Sequence, residues 1–227
     1  TDYIDLYQLH WPNRGSYHFR QNWEYDPSNQ EKNKVVDDIC CIVKQLNEFK
    51  KQGKIRAIGI SNETSWGLIQ FVNATKQYKN LCIASIQNEY SLLCRLYDTD
   101  LSEVSHHENV PLLSYSPLAG GILTGKYLNN AIPVNSRMSR IPKVFGRVNS
   151  RSLKAVQAYL NLSRKYEIDP VHLALNFCKK KPFMGSIIFG ATTNKQLDKI
   201  IKGINIDLSD EIMSEIDEIN KKFPMTF

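Results

Sequence analysis

Five stretches of this sequence place polar side chains directly after a short apolar run that predicts a β-strand. In the first stretch, His10 follows the run 4–9, stands beside Trp11 and precedes Pro12, a residue that cannot extend strand pairing. Parallel α/β folds carry their chemistry at the carboxyl ends of the strands. The pattern therefore predicts a site built from strand ends, with His10 as its titratable group. The other four stretches are Ser61-Asn62, Gln87-Asn88, Tyr115-Ser116, and Gly190 with Thr192.

The elements that must position these residues alternate between strand and helix. Apolar spacing predicts short buried strands at 4–9, 55–60, 82–87, 111–115 and 186–191. It predicts helices at 36–49, 64–77, around 101–104, 151–167, 170–180, 194–203 and from 210 onward. Thr64, Asp169 and Ser209 are the expected N-caps of three helices, and Gly53 is expected to close the first helix. In helix 194–203, Leu197, Ile200 and Ile201 are predicted to share one face.

This alternation predicts an α/β fold with a parallel sheet. No G-x-G-x-x-G motif follows any strand, so the usual Rossmann fingerprint is absent. The polar strand ends favour a (β/α)8 TIM barrel as a single domain over residues 1–227. Five strand–helix units are present where a closed barrel needs eight. We therefore predict a partial barrel.

Two long segments interrupt the regular pattern. Residues 13–34 form a polar loop that carries Trp23 and Tyr25. Loops of this length are usually functional or disordered, so a lid near a site and a mobile insertion both remain open. Residues 116–150 are rich in Gly, Pro, Asn and Arg, have little periodicity and are also predicted to be loop.

Composition restricts the function classes. The net charge is +6 and the basic residues are scattered, which favours a solvated surface over nucleic-acid binding and leaves open a phosphorylated cofactor. No apolar run approaches the ~18 residues that cross a bilayer. Five cysteines without a C-x-x-C pair predict reduced thiols and a cytoplasmic location, and the histidines lack zinc-ligand spacing. With no initiator Met or signal peptide before the first strand, we expect a fragment or a processed chain.

Five motifs together resemble the aldo-keto reductase family, in particular its Tas-like and potassium-channel β-subunit-like branch. They follow the family order and cover nearly the whole chain. They lie at residues 2–12, 53–62, 87–90, 114–127 and 190–197. The resemblance covers the last five βα units of the family barrel, strands 4 to 8. It implies an NADP(H)-dependent enzyme that reduces a small carbonyl substrate.

The resemblance implies a role for each strand-end residue. His10 matches the active-site histidine that orients or polarises the carbonyl, and Trp11 is expected in the substrate pocket. Ser61, Asn62 and Gln87 match residues that hold the nicotinamide carboxamide, a group that needs neutral donors and acceptors. The remaining cofactor-binding matches are Tyr115 for ring stacking, Ser116, Pro117, Leu118, Gly120, Lys126 and Arg137 for the pyrophosphate in the cofactor-covering loop 116–150, and Gly190, Thr192 and Gln196 for the adenosine and its 2′-phosphate.

The sequence also departs from the family pattern. Glu63 stands where many members have an aromatic residue after the Ser-Asn pair, and Lys199 and Ile200 replace the residues that usually face adenosine. Lys195 or Lys199 would favour NADP over NAD by charge. The Asp, Tyr and Lys of the family's first three units are absent. The resemblance therefore implies that the chain alone is inactive and can self-associate through its open barrel edges.

Three alternatives remain open. The first is a cofactor-binding regulatory subunit of the channel β-subunit type, although His10 favours an enzyme because those subunits carry Asn there. The second is that Ser61-Asn62 caps a helix. The third is that Glu63 and Glu89, after neighbouring strands, form a glycosidase pair; we favour surface or supporting carboxylates instead.

Overall fold

Strands and helices alternate along the chain in the predicted order. The computed structural model describes residues 1–227. Its strands are β1 (Ile4–Leu9), β2 (Ile55–Ser61), β3 (Ile83–Glu89), β4 (Leu112–Tyr115) and β5 (Met184–Ile188). Its α-helices are α1 (Lys32–Lys51), α2 (Ser65–Thr75), α3 (Asp100–Glu108), α4 (Arg137–Arg140), α5 (Ser150–Lys165), α6 (Pro170–Lys179), α7 (Asn194–Lys202) and α8 (Asp210–Lys222). No helix combines the length and the apolar character needed to span a bilayer.

Two compact units make up the chain. The first unit comprises Thr1–Asn88 and Asp98–Leu113, and the second comprises Glu89–Tyr97 and Ser114–Phe227. β3 and β4 begin in the first unit and end in the second. The single domain over 1–227 stays a prediction.

In the first unit, β1, β2, β3 and β4 are neighbours in that order. β1 runs parallel to β2, with Leu9 opposite Ile60, and β2 runs parallel to β3, with Ser61 opposite Gln87. Because the strands are parallel, their carboxyl ends meet at one edge, as the strand-end pattern requires. Helix α1 packs against α2 and α2 against α3. The unit's core includes Ile39, Val43, Ile58, Leu68, Phe71 and Ile86.

The burial predicted for the first strand is wrong. Ile4 of β1 is 48% exposed and Tyr7 is 39% exposed. The reason is the strand order, since β1 lies at the edge and pairs on one side with β2. An edge strand keeps unpaired backbone groups and uncovered side chains. Its neighbour β2, which pairs on both sides, has Ile58 and Ile60 almost fully buried.

Aromatic packing dominates the second unit. The buried Tyr90 ring stacks on Phe177 of α6 at 5.7 Å and meets Phe183 edge-on at 5.4 Å. Offset-stacked and edge-to-face pairs are the favoured arrangements of aromatic rings. In this unit the end of β4 adjoins β5, and the Tyr90 N–H donates to Tyr115 O at 3.3 Å.

The predicted boundary of β5 in the second unit needs correction. β5 starts at Met184, two residues before the predicted start, because the Met184 N–H closes a turn onto Lys181 O and the strand follows at once. In α7, Ile200 is buried while Leu197 and Ile201 are 39% and 55% exposed. Of the three residues, Ile200 is the one that belongs to the apolar cluster with Val171 and Leu175 of α6.

The segment 116–150 contains no strand, and its only α-helix is the four-residue α4. Short 3-10 turns at Ala119–Thr124, Leu128–Asn130 and Pro142–Val144 occupy much of the remainder. The loop prediction is therefore confirmed in outline. The loop prediction missed these turns, because a single helical turn is too short to produce a periodic spacing of apolar residues in the sequence.

The predicted helix ends are confirmed. The side chains of Thr64, Asp169 and Ser209 accept backbone N–H bonds at the starts of α2, α6 and α8. Gly53 has φ +71°, a conformation that glycine adopts without steric cost, and its N–H returns to Lys50 O. These features depend on nearest neighbours in the chain, which is why sequence alone predicts them.

Replacing Ser209 with Ala should lower the free energy of unfolding by about 1 kcal/mol, because the N–H of Ile212 loses its acceptor. Urea denaturation measures the effect. Ser214→Ala, an exposed change inside the same helix, is the control and should be neutral or slightly stabilising. Equal stability of the two variants would contradict the capping role.

Candidate active site

Hydrogen bonds connect the ends of β1, β2 and β3. Asn62 Nδ2 donates to His10 O at 2.8 Å, and the Asn62 N–H donates to Gln87 O at 3.1 Å. Ser61 Oγ also donates to Gln87 O and accepts from Asn62 Nδ2. Asn62 has φ +55°, a left-handed conformation that asparagine tolerates better than most residues. The structure thus brings together four of the predicted site residues.

Ser61 and Asn62 are almost fully buried, with exposures of 3% and 1%. Their side chains hold the strand ends in place, and their contact with a nicotinamide carboxamide stays a prediction. Gln87 remains half-buried. The alternative that Ser61-Asn62 caps a helix is wrong, because Thr64 Oγ1 accepts the Gly67 N–H at the start of α2.

The His10 side chain lies on an aromatic surface. Its exposed ring stacks on Trp11, with centroids 4.7 Å apart and planes inclined by 13°. Trp11 is 58% exposed and meets Phe19 edge-on at 5.5 Å. His10 and Trp11 line a cavity of about 270 Å³ at the carboxyl ends of β1 and β2. The predicted catalytic and pocket residues therefore lie side by side.

A buried ion pair joins the loop after β1 to the turn after β2. Arg14 donates from Nη1 and Nη2 to the two carboxylate oxygens of Glu63, at 2.8 and 2.7 Å. The side chains are 5% and 2% exposed. Arg14 Nη2 also donates to Thr64 Oγ1, and the guanidinium lies 5.4 Å from the Trp66 ring centroid. Bidentate arginine–carboxylate pairs are among the stronger hydrogen-bonded contacts in proteins.

Gly67 makes room for this pair. A Cβ added there would overlap the Glu63 carboxylate and the Arg14 guanidinium. The three residues therefore depend on one another, because a larger residue at 67 would displace the charges.

For Glu63 and Glu89 we favour surface or supporting carboxylates, and their burial excludes the surface alternative. In the second unit, Glu89 is 6% exposed and accepts two hydrogen bonds from Arg147, both at 2.8 Å. Each carboxylate is held bidentately by its own arginine. Neither is therefore free to act as the acid or nucleophile of a glycosidase pair.

His18 is a second buried residue of the loop after β1. Its Nε2 lies 3.1 Å from Glu63 O and 3.2 Å from Asn88 Nδ2. Burial lowers the pKa of His18 from 6.5 to about 4, although the bond to the Glu63 carbonyl acts in the opposite direction. The imidazole is therefore neutral near pH 7.

Arg14 and His18 favour the lid over the mobile insertion for the first part of the loop 13–34. Trp23, by contrast, is 64% exposed. Sequence reasoning missed both residues as contributors to the site. The sequence did contain a signal for such a residue. A glutamate stands after Ser61-Asn62 where many family members have an aromatic residue, and a buried glutamate needs a cation beside it.

In the second unit, two glycines face two basic side chains. Gly120 and Gly121 have φ +69° and +93°. A Cβ added at Gly121 would lie 3.0 Å from Lys126 Nζ, and one at Gly120 would lie 3.6 Å from Arg137 Cδ and 2.5 Å from Val144 Cγ1. Both positions favour glycine, because φ is positive and neighbouring side chains already occupy the space of a Cβ. The structure thus places Gly120 beside Arg137 and Gly121 beside Lys126, and the contact of these residues with a pyrophosphate stays a prediction.

The residues around this group have local roles. Ser116 has φ +56°, and its carbonyl accepts the Ala119 N–H at 2.8 Å. Pro117 is buried, Leu118 packs against the apolar cluster of α6, and Tyr115 is half-buried. Their contacts with a cofactor stay predictions.

The residues predicted to bind adenosine are exposed. Thr192 donates from its N–H and Oγ1 to Gln196 Oε1, at 2.9 and 3.1 Å. A Cβ on Gly190 would meet no atom within 4 Å. Lys199 Nζ lies 2.6 Å from Asp169 Oδ2, so its charge is already paired. Across the chain, no group of three or more His, Cys, Asp or Glu side chains is placed to hold a metal ion.

Comparison with known proteins gives a consistent result. The profile of the aldo/keto reductase family matches residues 1–221. The chain is 37% identical to protein tas of Escherichia coli K12, over 98% of this chain and 63% of that protein. It is 34% identical to an aldo-keto reductase of Babesia bovis, over 98% of this chain and 82% of that protein. The glycerol dehydrogenase of Gluconobacter oxydans shares the fold, with a TM-score of 0.70 and 22% identity over 99% of this chain and 61% of that one.

Breaking the Arg14–Glu63 pair from one side should be more harmful than removing it whole. Arg14→Met and Glu63→Met should each cost about 3–5 kcal/mol of unfolding free energy, because each leaves a buried charge unpaired. The double variant should cost less than the sum. The exposed pair Lys51–Glu48, changed in the same way, should show coupling below about 0.5 kcal/mol. Similar coupling in the two cycles would contradict the buried pair.

Stability should fall as the pH drops from 6.5 to about 4, because the unfolded state protonates His18 in this window while the folded state keeps it neutral. The loss from His18 alone is on the order of 3 kcal/mol. Denaturation at several pH values, in wild type and His18→Gln, isolates it. His107→Gln, on the exposed face of α3, should keep the wild-type slope. An unchanged slope in His18→Gln would refute the assignment.

Proposed function

We propose, because the chain belongs to the aldo/keto reductase family, that the protein is an NADP(H)-dependent enzyme that reduces an aldehyde or ketone to the alcohol. The chain spans 63% of the length of protein tas, so the activity is proposed for the protein in which this chain occurs. The observation that carries the proposal is the grouping of His10, Ser61, Asn62 and Gln87 at the ends of three parallel strands.

The residues present fit a dinucleotide. Arg137 beside Gly120 and Lys126 beside Gly121 suit a diphosphate, because the two cations can neutralise its charge. Gln87 offers amide groups for the nicotinamide carboxamide. When bound, the cofactor supplies the hydride, which carries the two electrons that reduce the carbonyl carbon.

The chain's own contribution is to orient the substrate and stabilise charge. His10 donates a hydrogen bond to the carbonyl oxygen as that oxygen gains negative charge, and Trp11 forms part of the pocket wall. The oxygen must also receive a proton. Tyr3 precedes β1 and Tyr7 lies within it, away from the strand end, so neither serves as donor. We therefore propose that the 227-residue chain alone does not turn over.

The preference for NADP over NAD rests on charge. The net charge is +6, and Lys195 is exposed beside Thr192 and Gln196. Lys199 adds little, because it pairs with Asp169. A relative from Escherichia coli, 30% identical, is named an NADH-specific methylglyoxal reductase, so the preference for NADP does not follow from family membership.

Location and self-association are further proposals. All five cysteines are unpaired, which supports a reducing, cytoplasmic compartment. The exposed Ile4 and Tyr7 on β1 support pairing of this edge with another strand.

The test is the reduction of 4-nitrobenzaldehyde by protein made from the complete coding sequence. We expect turnover with NADPH, a higher kcat/KM than with NADH, and a loss of about 10²–10³-fold in His10→Ala, as when one oxyanion donor is removed. His106→Ala, an exposed change on α3, is the control and should retain full activity.

The proposal is refuted if this protein does not reduce 4-nitrobenzaldehyde, or if His10→Ala leaves its turnover unchanged. The 227-residue chain, assayed in parallel, should be inactive. A monodisperse monomer of this chain that oxidises NADPH would overturn that part of the proposal.

A further inference from the structure

A strained turn precedes α5 in the second unit. Four consecutive residues, 143–146, have left-handed φ values of +51°, +49°, +56° and +82°. Gly146 adopts this conformation without steric cost, but the other three residues do not, and it is least favourable for the β-branched Val144. A strained backbone of this kind persists only where its surroundings hold it in place. We call residues 143–146 the left-handed turn.

Two residues hold the left-handed turn from its carboxyl side. The Arg147 N–H and Nη1 donate to Val144 O at 3.3 and 3.4 Å. The Arg147 guanidinium is itself held by Glu89, with Nε and Oε1 2.8 Å apart. The Val148 N–H donates to Lys143 O at 2.9 Å. The conformation of the turn therefore depends on the positions of Arg147 and Val148.

Thr226, in the segment after α8, holds these residues in turn. It is 4% exposed, and its Oγ1 donates to Leu93 O at 2.8 Å. Its carbonyl accepts a hydrogen bond from Asn149 Nδ2 at 2.9 Å. Asn149 is the N-cap of α5, and Ser152 of the same capping box donates from Oγ to Arg147 O at 2.7 Å. Thr226 thus connects the start of α5, and with it the end of the left-handed turn, to the loop after β3.

The left-handed turn packs against the glycines of the loop 116–150. Val144 is fully buried, and its Cγ1 lies 2.5 Å from the position of a Cβ added at Gly120. Arg137 Cδ lies 3.6 Å from the same position. Val144 therefore occupies the space beside Gly120 that a side chain would otherwise fill, next to one of the two cations of this group.

We infer that Thr226 is a positioning residue for the diphosphate of the cofactor. Through Asn149 and Arg147 it holds the left-handed turn, and the turn holds Val144 against Gly120. If this link is lost, the strained turn relaxes and the cation beside Gly120 loses its fixed place. This role rests on the proposed function, which assigns the diphosphate to these glycines and their cations, and deepens it by naming a residue that controls the affinity.

Hydrogen exchange, followed by NMR on protein made from the complete coding sequence, tests the link without any ligand. Thr226→Val removes a buried hydrogen bond and should speed exchange at the amides of Arg147 and Val148 about tenfold, because one hydrogen bond no longer opposes local opening. Thr226→Ser keeps the hydroxyl and should stay within about twofold of wild type. The Ile168 amide, bonded to Ser163 O just past the other end of α5, should not change. Equal acceleration there would make Thr226 a general stabiliser and overturn the inference.

Two further variants separate the link from a general loss of stability. Asn149→Ser keeps an N-cap oxygen for α5 but loses the amide that donates to Thr226 O, so it should reproduce the faster exchange. Wild-type exchange in Asn149→Ser would contradict the link, and this variant decides the question if Thr226→Val fails to fold. Thr75→Val is the matched control in the first unit, because Thr75 is 3% exposed and its Oγ1 donates to Val72 O at 2.7 Å. It should leave exchange at Arg147 unchanged.

Inorganic pyrophosphate then probes the diphosphate site by calorimetry. Thr226→Val and Asn149→Ser should each bind it about fivefold more weakly than wild type, a coupling typical of sites that act through intervening residues. Thr226→Ser and Thr75→Val should stay within about twofold of wild type. An unchanged affinity in Thr226→Val, or no binding of pyrophosphate by wild type, would overturn the positioning role.

Kinetics on the same protein separate this role from the proposed function. In Thr226→Val, KM for NADPH should rise about fivefold while kcat stays within about twofold, because binding rather than the hydride step is affected. If pyrophosphate binding depends on Thr226 but NADPH supports no turnover, the reductase function fails and the positioning role stands. If 4-nitrobenzaldehyde is reduced and Thr226→Val leaves KM for NADPH unchanged, the function stands and the positioning role is wrong.

Discussion

A carboxylate that is buried directly at or after the end of a strand needs a cation, and both units of this chain meet that need with an arginine from a loop. Glu63 follows β2 and is held by Arg14. Glu89 ends β3 and is held by Arg147. Removing a carboxylate from water costs several kcal/mol, which a bidentate pair with good geometry can offset. Each arginine lies far from its glutamate in the sequence. Each pair therefore fixes the path of the loop that carries the arginine, in addition to compensating the buried charge.

The geometry of the predicted site in the first unit depends on this constraint. Asn62 lies between Ser61, which ends β2, and Glu63, whose side chain is fixed by Arg14. The Glu63 carbonyl is held in addition by His18 and Asn88. Because Ser61 and Glu63 are both held in place by hydrogen bonds, Asn62 keeps its left-handed conformation. In this conformation its side chain donates to the carbonyl of His10. The position of the backbone at His10 thus follows from a charge pair that contains no family motif residue.

The features that could be predicted from the sequence are those that depend on residues close together in the chain. Caps such as Thr64 and Ser209 interact within three residues, and the strand and helix order follows from apolar spacing, so both are recovered. The grouping of His10, Asn62 and Gln87 was also predictable, since parallel strands bring their ends to one edge. Arg14 and Glu63 are 49 residues apart, and no periodicity links them. The exposure of Ile4 and Tyr7 could not be predicted either, because an apolar strand has the same sequence pattern in the middle of a sheet and at its edge.

Glu63, which departs from the family pattern, places a carboxylate at the wall of the cavity. In the proposed function, His10 and Gln87 suit the reduction of any carbonyl, so they do not distinguish one substrate from another. A single added charge at the pocket would select for or against ionised substrates, since Coulomb interactions are strong where water is excluded. This chain adds two opposite charges at 2.7 Å from each other, and Gly67 leaves the space in which they meet. The pair therefore compensates its own charge at the cavity wall and holds the loop after β1 against the turn after β2.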